Sequence, residues 1–352
     1  MIGILIPIVV IAGCSVLLWR SCSNFDRHSK VIGVNLTDGV RGASINAIAS
    51  SLPEFFTALF FLFIVHDVEG FSAGLATILG SAIFNILLIP ALVIIILVKN
   101  GHDVAIRKKL IIRDAGILLV SQFALLYFIQ DGVISLLDSL YLFLIYLSYL
   151  FILTRGGLFA KNDNSEVHSQ RLSSSLKGIV KSVVLISVWC FILVSACELL
   201  GAKEYPEYLS FIGPTEGLGW NLMFVALIFA AAASSVPDML ISCLDAKSGD
   251  TDDSISNPIA SNLFDICIAF GLPLFLYTLF KGEISFEDSD ALAIGDLTKL
   301  IVLMISVTLV FIISVLASKT YKLAHSILFI LVYGVFMYMV FNLDLMPESA
   351  LW

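Results

Sequence analysis

Twice in the chain a carboxylate directly follows a proline inside apolar sequence: Pro53 and Glu54 in ASSLPEFFTAL, and Pro237 and Asp238 in ASSVPDMLISC. Proline has no N–H, and its ring pushes the preceding helical turn open. Pro53 therefore deprives the Ala49 carbonyl of its helical donor, beside Ala47, Ser50, Ser51 and Glu54, which share one broad helical face. Pro237 does the same beside Ala231, Ala233, Ser234, Ser235 and Asp238. In hydrocarbon an unsatisfied carbonyl is costly unless protein, water or an ion takes it up. Hydroxyls, freed carbonyls and a carboxylate together form a set of hard oxygen ligands, of the kind calcium gathers in roughly six- to eightfold coordination. The set suits Ca2+, Na+ and K+ and suits Zn2+ or Cu+ poorly.

Each motif is followed by a second apolar segment that adds polar groups at i,i+4 spacing: Ser81 with Asn85 in SAIFN, and Ser261 with Asp265 in SNLFD. Such pairs fall on one helix face. Glu54, Asp238 and Asp265 at membrane depth each cost on the order of 3 kcal/mol without compensation, and bound cations are the natural compensation. A bland alternative is a Ser-Pro kink whose acid points into a water-filled crevice or pairs with a lysine. Against it, no basic residue lies well inside any of the four segments; Arg41 and Lys247 sit near their inner ends.

The elements that must hold these groups are membrane spans. Of 352 residues, 59% are hydrophobic and only 14% charged, which excludes a soluble globular domain. Runs of about 20 apolar residues fall near 2–19, 31–64, 71–98, 108–129, 132–154, 177–200, 210–245, 254–281, 296–317 and 322–343. Segments 31–64 and 210–245 are too long for one straight span, carry the proline-acid motifs and are expected to be broken helices. The first segment lacks a basic leader and a small-residue cleavage site, so it reads as a retained helix. Loops after the odd-numbered segments hold most of the lysine and arginine, while the opposite side has only Lys203, Lys281 and Lys299, which places both termini outside the cell membrane.

The motifs repeat. Glu54 and Asp238 are offset by 184 residues, and Asn85 and Asp265 by 180. With five spans in each half, the second half enters the membrane upside down, the signature of an inverted-repeat transporter with its site at the midplane. The expected fold is an all-α polytopic membrane protein of about ten transmembrane helices. Residues 1–154 form a first five-helix repeat, 155–176 a cytoplasmic linker and 177–352 the second, inverted repeat.

On these motifs the sequence resembles the cation/calcium exchanger superfamily, whose paired repeats read like G-T-S-x-P-E/D followed by G-S-N-x-F-N/D. It looks most like the potassium-dependent sodium/calcium exchanger branch, through LTDGVRGASINAIASSLPEFFTAL, TILGSAIFNILLI, SSVPDMLIS and SNLFDICIAFGLP. The resemblance implies that Glu54 and Asp238 are the main calcium ligands, with Asn85 and Asp265 completing the central quartet. Ser50, Ser51, Ser81, Ser234, Ser235, Ser261 and the carbonyls of Ala47 and Ala231 would supply flanking sodium sites. Aspartate at 265 goes with potassium dependence in that branch, and one Ca2+ with one K+ would neutralise Glu54, Asp238 and Asp265. The family pattern is not kept throughout: Ala49 and Ala233 replace glycines, Ser50 and Ser234 replace threonines, and Ala260 replaces the glycine of G-S-N.

The expected function is secondary antiport of Na+ against Ca2+, with K+ carried alongside Ca2+ as a variant, and with no covalent chemistry and no cofactor beyond the transported ions. A proton-coupled exporter of Ca2+ or another divalent ion is the alternative. An intramembrane aspartyl protease using Asp238 and Asp265 would leave Glu54 unexplained. The partners expected are these ions and the lipid bilayer, with the chain a monomer. No nucleic-acid or nucleotide-binding motif appears. The six cysteines show no CxxC pair and the five histidines no ligand spacing, so both read as packing or interface residues. Arg113 with Asp114, and Asp138, read as local ion pairs or interface anchors, and the acidic loop 281–290 as solvated.

Overall fold

The computed structural model describes residues 2–32, 47–102, 104–105, 108–154, 169–205, 216–249, 251–287 and 291–342. Residues 155–168 of the expected linker lie outside the described residues, as do 33–46, 206–215 and 288–290 of the expected segments and acidic loop, and with them Arg41.

Among the described residues, ten helices are long and apolar enough to cross a bilayer, which makes this an all-α, multi-pass membrane protein. They are α1 (Ile2–Ile32), α2 (Ala47–Phe60, ending in a π turn Phe61–Val65), α3 (Asp67–Lys99), α4 (Lys108–Gln130) and α5 (Leu136–Thr154). The second half holds α6 (Ser169–Gly201) and α7, which starts as Leu222–Val225, passes a π turn Ala226–Ala230 and continues over Ala231–Ser248. There follow α8 (Thr251–Phe264, π turn Asp265–Phe270, then Gly271–Lys281), α9 (Ala291–Ala317) and α10 (Leu323–Asn342).

Two short ribbons show how the halves relate. β1 (Val104–Ala105), after α3, pairs antiparallel with β4 (Thr320–Tyr321), after α9. β2 (Val133–Ile134), after α4, pairs with β3 (Ile284–Ser285), after α8. Exchanging the halves turns one ribbon into the other. Loops an even number of crossings apart meet at the same end of the bundle, as two inverted five-helix halves require. Enclosure follows the same relation: α3 and α8 are the most buried of the ten helices and α5 and α10 the least, so the first pair forms the core and the second lies at the periphery.

The prolines do not break their helices. α2 runs through Pro53 and α7 through Pro237, with π turns at Phe61–Val65 and Ala226–Ala230, and residues 33–46 and 206–215 of the two long segments lie outside the described residues. A proline removes one helical hydrogen bond, and neighbouring helices and serine hydroxyls can make good that loss in a membrane bundle.

α1 and α6 run on past their apolar stretches. α1 continues to Ile32, and α6 begins at Ser169, eight residues before its apolar run and inside the stretch expected as linker. The two helices pack along each other, with free Cys14, Cys22, Cys190 and Cys197 buried among Ile11, Leu18, Ile186 and Leu193. Elsewhere, Arg113 Nε donates to Asp114 Oδ1 at 2.7 Å, and Asp138 Oδ2 accepts from Ser135 N at 2.7 Å, capping the start of α5.

Candidate cation site

The four core helices α2, α3, α7 and α8 bring the two motifs and their followers together. α3 can approach so closely because it carries glycine where backbones touch. A Cβ at Gly70 would collide with the Phe61 carbonyl of α2, and one at Gly80 with the Leu227 carbonyl of α7.

Within the first half, Ser81 Oγ on α3 donates to Glu54 Oε1 on α2 at 3.1 Å. In the second half the equivalent pair forms the same bond, Ser261 Oγ on α8 to Asp238 Oδ2 on α7 at 3.2 Å. Between the halves, Ser235 Oγ donates to Ser81 Oγ at 2.8 Å, and its counterpart, the Ser51–Ser261 hydroxyl pair, closes at 2.9 Å. Four hydrogen bonds thus form two symmetric pairs. Glu54, Ser51, Ser81, Asn85, Ser234, Ser235 and Asp265 are fully enclosed, and Ser50, Asp238 and Ser261 nearly so.

The symmetry stops at one pair of positions. Asn85 donates through Nδ2 to Asp238 Oδ2 at 3.1 Å. Its counterpart in the second half is Asp265, an acceptor only when ionised, which has no hydrogen to give Glu54. The result is a group of buried oxygens with no hydrogen-bond partner: Glu54 Oε2, Asn85 Oδ1 and both oxygens of Asp265. Among the described residues, none of the three carboxylates has a lysine or arginine partner, and no three acidic, histidine or cysteine side chains by themselves form a metal cluster. The site is therefore a mixed cage of carboxylate, amide and hydroxyl oxygens, which suits a hard cation that gives up its hydration shell readily.

Two expected ligands stand differently. The Ala231 carbonyl accepts from Ser234 Oγ at 3.2 Å inside α7; Ser235 Oγ also lies 2.8 Å from it, but the one Ser235 hydroxyl hydrogen is given to Ser81. Ala47 is the first residue of α2. One residue escaped the sequence reading. Asn262, fully buried on α8, donates through Nδ2 to the Ala82 carbonyl at 2.9 Å and accepts from Asn85 Nδ2 at 3.0 Å. Its repeat counterpart is Ala82, so the two halves do not match there; the sequence signal for it is the asparagine of the G-S-N pattern, which Asn262 keeps beside Ser261.

Comparison with known proteins agrees with this architecture. The family model described as "Sodium/calcium exchanger protein" matches residues 2–155 and 174–342. The sodium/potassium/calcium exchanger 3 of Homo sapiens is 37% identical over 120 residues, a stretch that is 34% of this chain and 18% of that protein. The inner membrane protein YrbG of Escherichia coli (strain K12) is 27% identical over 239 residues, 66% of this chain and 67% of that one. Among solved structures, the H+/Ca2+ exchanger CAX aligns with a TM-score of 0.62 at 15% identity, over 97% of this chain and 88% of that chain. The sodium-calcium exchanger NCX_Mj aligns with a TM-score of 0.62 at 18% identity, over 94% and 97%. The matched stretch thus spans less than a fifth of the sodium/potassium/calcium exchanger, and the solved structures share the fold. With the family model covering both halves of the bundle and both copies of the motif, this chain belongs to the sodium/calcium exchanger protein family.

Proposed function

We propose that the protein is a secondary antiporter that exchanges Na+ for Ca2+ through the cage between α2, α3, α7 and α8, with K+ carried alongside Ca2+. The observation that carries this reading is the set of unpartnered buried oxygens at Glu54, Asn85 and Asp265 beside the Asp238 carboxylate. Ionised carboxylates so deeply enclosed, with no basic partner, call for a cation that arrives and leaves with the cycle. Ser50, Ser51, Ser81, Ser234, Ser235 and Ser261, with the Ala47 carbonyl, are the flanking ligands of the smaller sodium ions. The Ala231 carbonyl joins them when the Ser234 hydroxyl turns away from it. One Ca2+ and one K+ would balance the charges of Glu54, Asp238 and Asp265.

The lysine-rich end of the bundle carries the β1–β4 ribbon, flanked by Lys99, Lys108, Lys109, Lys319 and Lys322. This end faces the cytoplasm under the positive-inside rule, and both termini lie on the outer side of the cell membrane. The chain works as a monomer, since each chain contains a whole cage. An aspartyl protease has no footing here: Asp238 is held by Asn85 and Ser261, and its repeat partner is Glu54 and not Asp265.

The test is Ca2+ uptake into proteoliposomes loaded with Na+, with the outside medium varied among Na+, K+, choline and a pH step. Uptake that needs the outward Na+ gradient and vanishes in Glu54→Gln supports the exchanger, and stimulation by external K+ supports potassium as a passenger. Uptake that follows the pH step and ignores Na+ would replace this reading with proton-coupled export.

A further inference from the structure

We propose that Asn262 is a positioning residue of the cage: from the opposite half it fixes which end of the Asn85 amide faces the cation. This rests on the reading of the cage as a cation site and adds a determinant of how the cage binds.

The constraint starts at the backbone. The Ala82 carbonyl can only accept, so the Asn262 amide presents Nδ2 to it, at 2.9 Å. Asn262 Oδ1 is then the atom that faces Asn85, and Asn85 must answer with Nδ2, at 3.0 Å. Asp238 makes the same demand on the same nitrogen at 3.1 Å. Both amide hydrogens of Asn85 are thereby engaged, and its Oδ1 is left buried and unpartnered. The amide offers a cation its oxygen and keeps its hydrogens away.

Asp238 alone would hold this polarity poorly, because a cation competes with Asn85 for the same carboxylate oxygens. Asn262 is neutral and anchored on a main-chain carbonyl, so its hold on Asn85 does not depend on whether the site is occupied. An asparagine turned over would point N–H at a cation, an electrostatic repulsion in place of a ligand.

The asymmetry between the halves fits the same logic. Where the first half has Asn85, held by Asn262, the second has Asp265, and the residue in the holding position is Ala82. An asparagine at 82, set by the same two-fold relation, would aim its amide oxygen at the Asp265 carboxylate. The methyl group of Ala82 removes that acceptor, so amide faces amide on one side of the cage and methyl accompanies carboxylate on the other.

A double-mutant cycle in purified, full-length protein tests this, read by the cation concentration needed for half of the thermal stabilisation by Ca2+ and by Na+, and by KM against the maximal rate of Ca2+ uptake. Asn262→Ala is expected to raise the half-saturating concentration about tenfold, the usual effect of losing the residue that orients a ligand. In an Asn85→Ala background the same change should alter it by less than about twofold, since Asn262 acts only through Asn85. A tenfold loss in both backgrounds, or none in the first, would overturn the proposal. Asn262→Leu keeps the volume and answers the question if the alanine variant does not fold. A wild-type protein with no stabilisation by any cation would overturn the exchanger reading and this inference with it, whereas additivity in a cation-responsive protein overturns the inference alone.

Discussion

Gly80 on α3 and Leu227 in the π turn of α7 meet backbone to backbone. A methyl group at position 80 would run into the Leu227 carbonyl and stand 2.7 Å from the Ala231 side chain. This contact sets the spacing of the two halves one residue from the cage, where Ser235 reaches Ser81 at 2.8 Å. The repeat counterpart of Gly80 is Ala260, so the demand for a bare backbone belongs to one side only.

Gly80→Ala should therefore force α3 and α7 apart and lower stability by about 1–3 kcal/mol, the range for overpacking a filled core. The Ser235–Ser81 bond should lengthen with it, so thermal unfolding and Na+ affinity should both suffer. A variant with wild-type melting temperature and wild-type cation stabilisation would contradict this account of the contact.

The turn between α2 and α3 is strained. His66 and Asp67 have φ of 67° and 49°, a region that non-glycine residues occupy at a cost of order 1–3 kcal/mol each. Tyr277 of α8, in the other half, holds the turn: its hydroxyl accepts from Asp67 N at 3.1 Å and donates to Asp67 Oδ1 at 3.3 Å, while its ring stands edge-on to Phe63 at 5.4 Å. Tyr277→Phe keeps the ring and removes both bonds. The expected loss is about 0.5–1.5 kcal/mol, with faster amide hydrogen exchange over residues 66–70 and unchanged exchange in the enclosed middle of α3. Unaltered exchange at the turn would mean that the clamp is not what holds it.

The spans and the cage were legible because both are written in local signals. Hydropathy sets the ten helices, and the proline-acid and Ser-x-x-x-Asn/Asp patterns recur at nearly equal offsets. Helix ends were less legible, because α1 leaves its apolar run at Arg20 yet continues. Ser21, Cys22, Phe25 and Ser29, spaced about one turn apart, remain buried on one face beyond it. Pro53 and Pro237 lie inside continuous helices because the loss of one helical hydrogen bond does not by itself break a helix within a membrane bundle. Asn262 was missed for a different reason. Its two partners lie about 180 residues away in the other half, so only the folded chain brings them within 3 Å.

The same two-fold relation yields a prediction at the position where it fails. Asn85 gives Asp238 a hydrogen bond, while Asp265 in the equivalent place has none to give Glu54, leaving Glu54 Oε2 and both Asp265 oxygens without partners. Asp265→Asn would restore the missing donor and remove one buried charge. In the absence of added cations the variant should be more stable than wild type by about 1–3 kcal/mol, the penalty usually attached to an unsatisfied buried polar group. With the charge gone, K+ should no longer raise the melting temperature or stimulate Ca2+ uptake, while Na+ still should drive uptake. If Asp265→Asn instead destabilises the cation-free protein, Asp265 is not in want of a donor there. If K+ still stimulates uptake in the variant, the Asp265 charge is not what potassium requires.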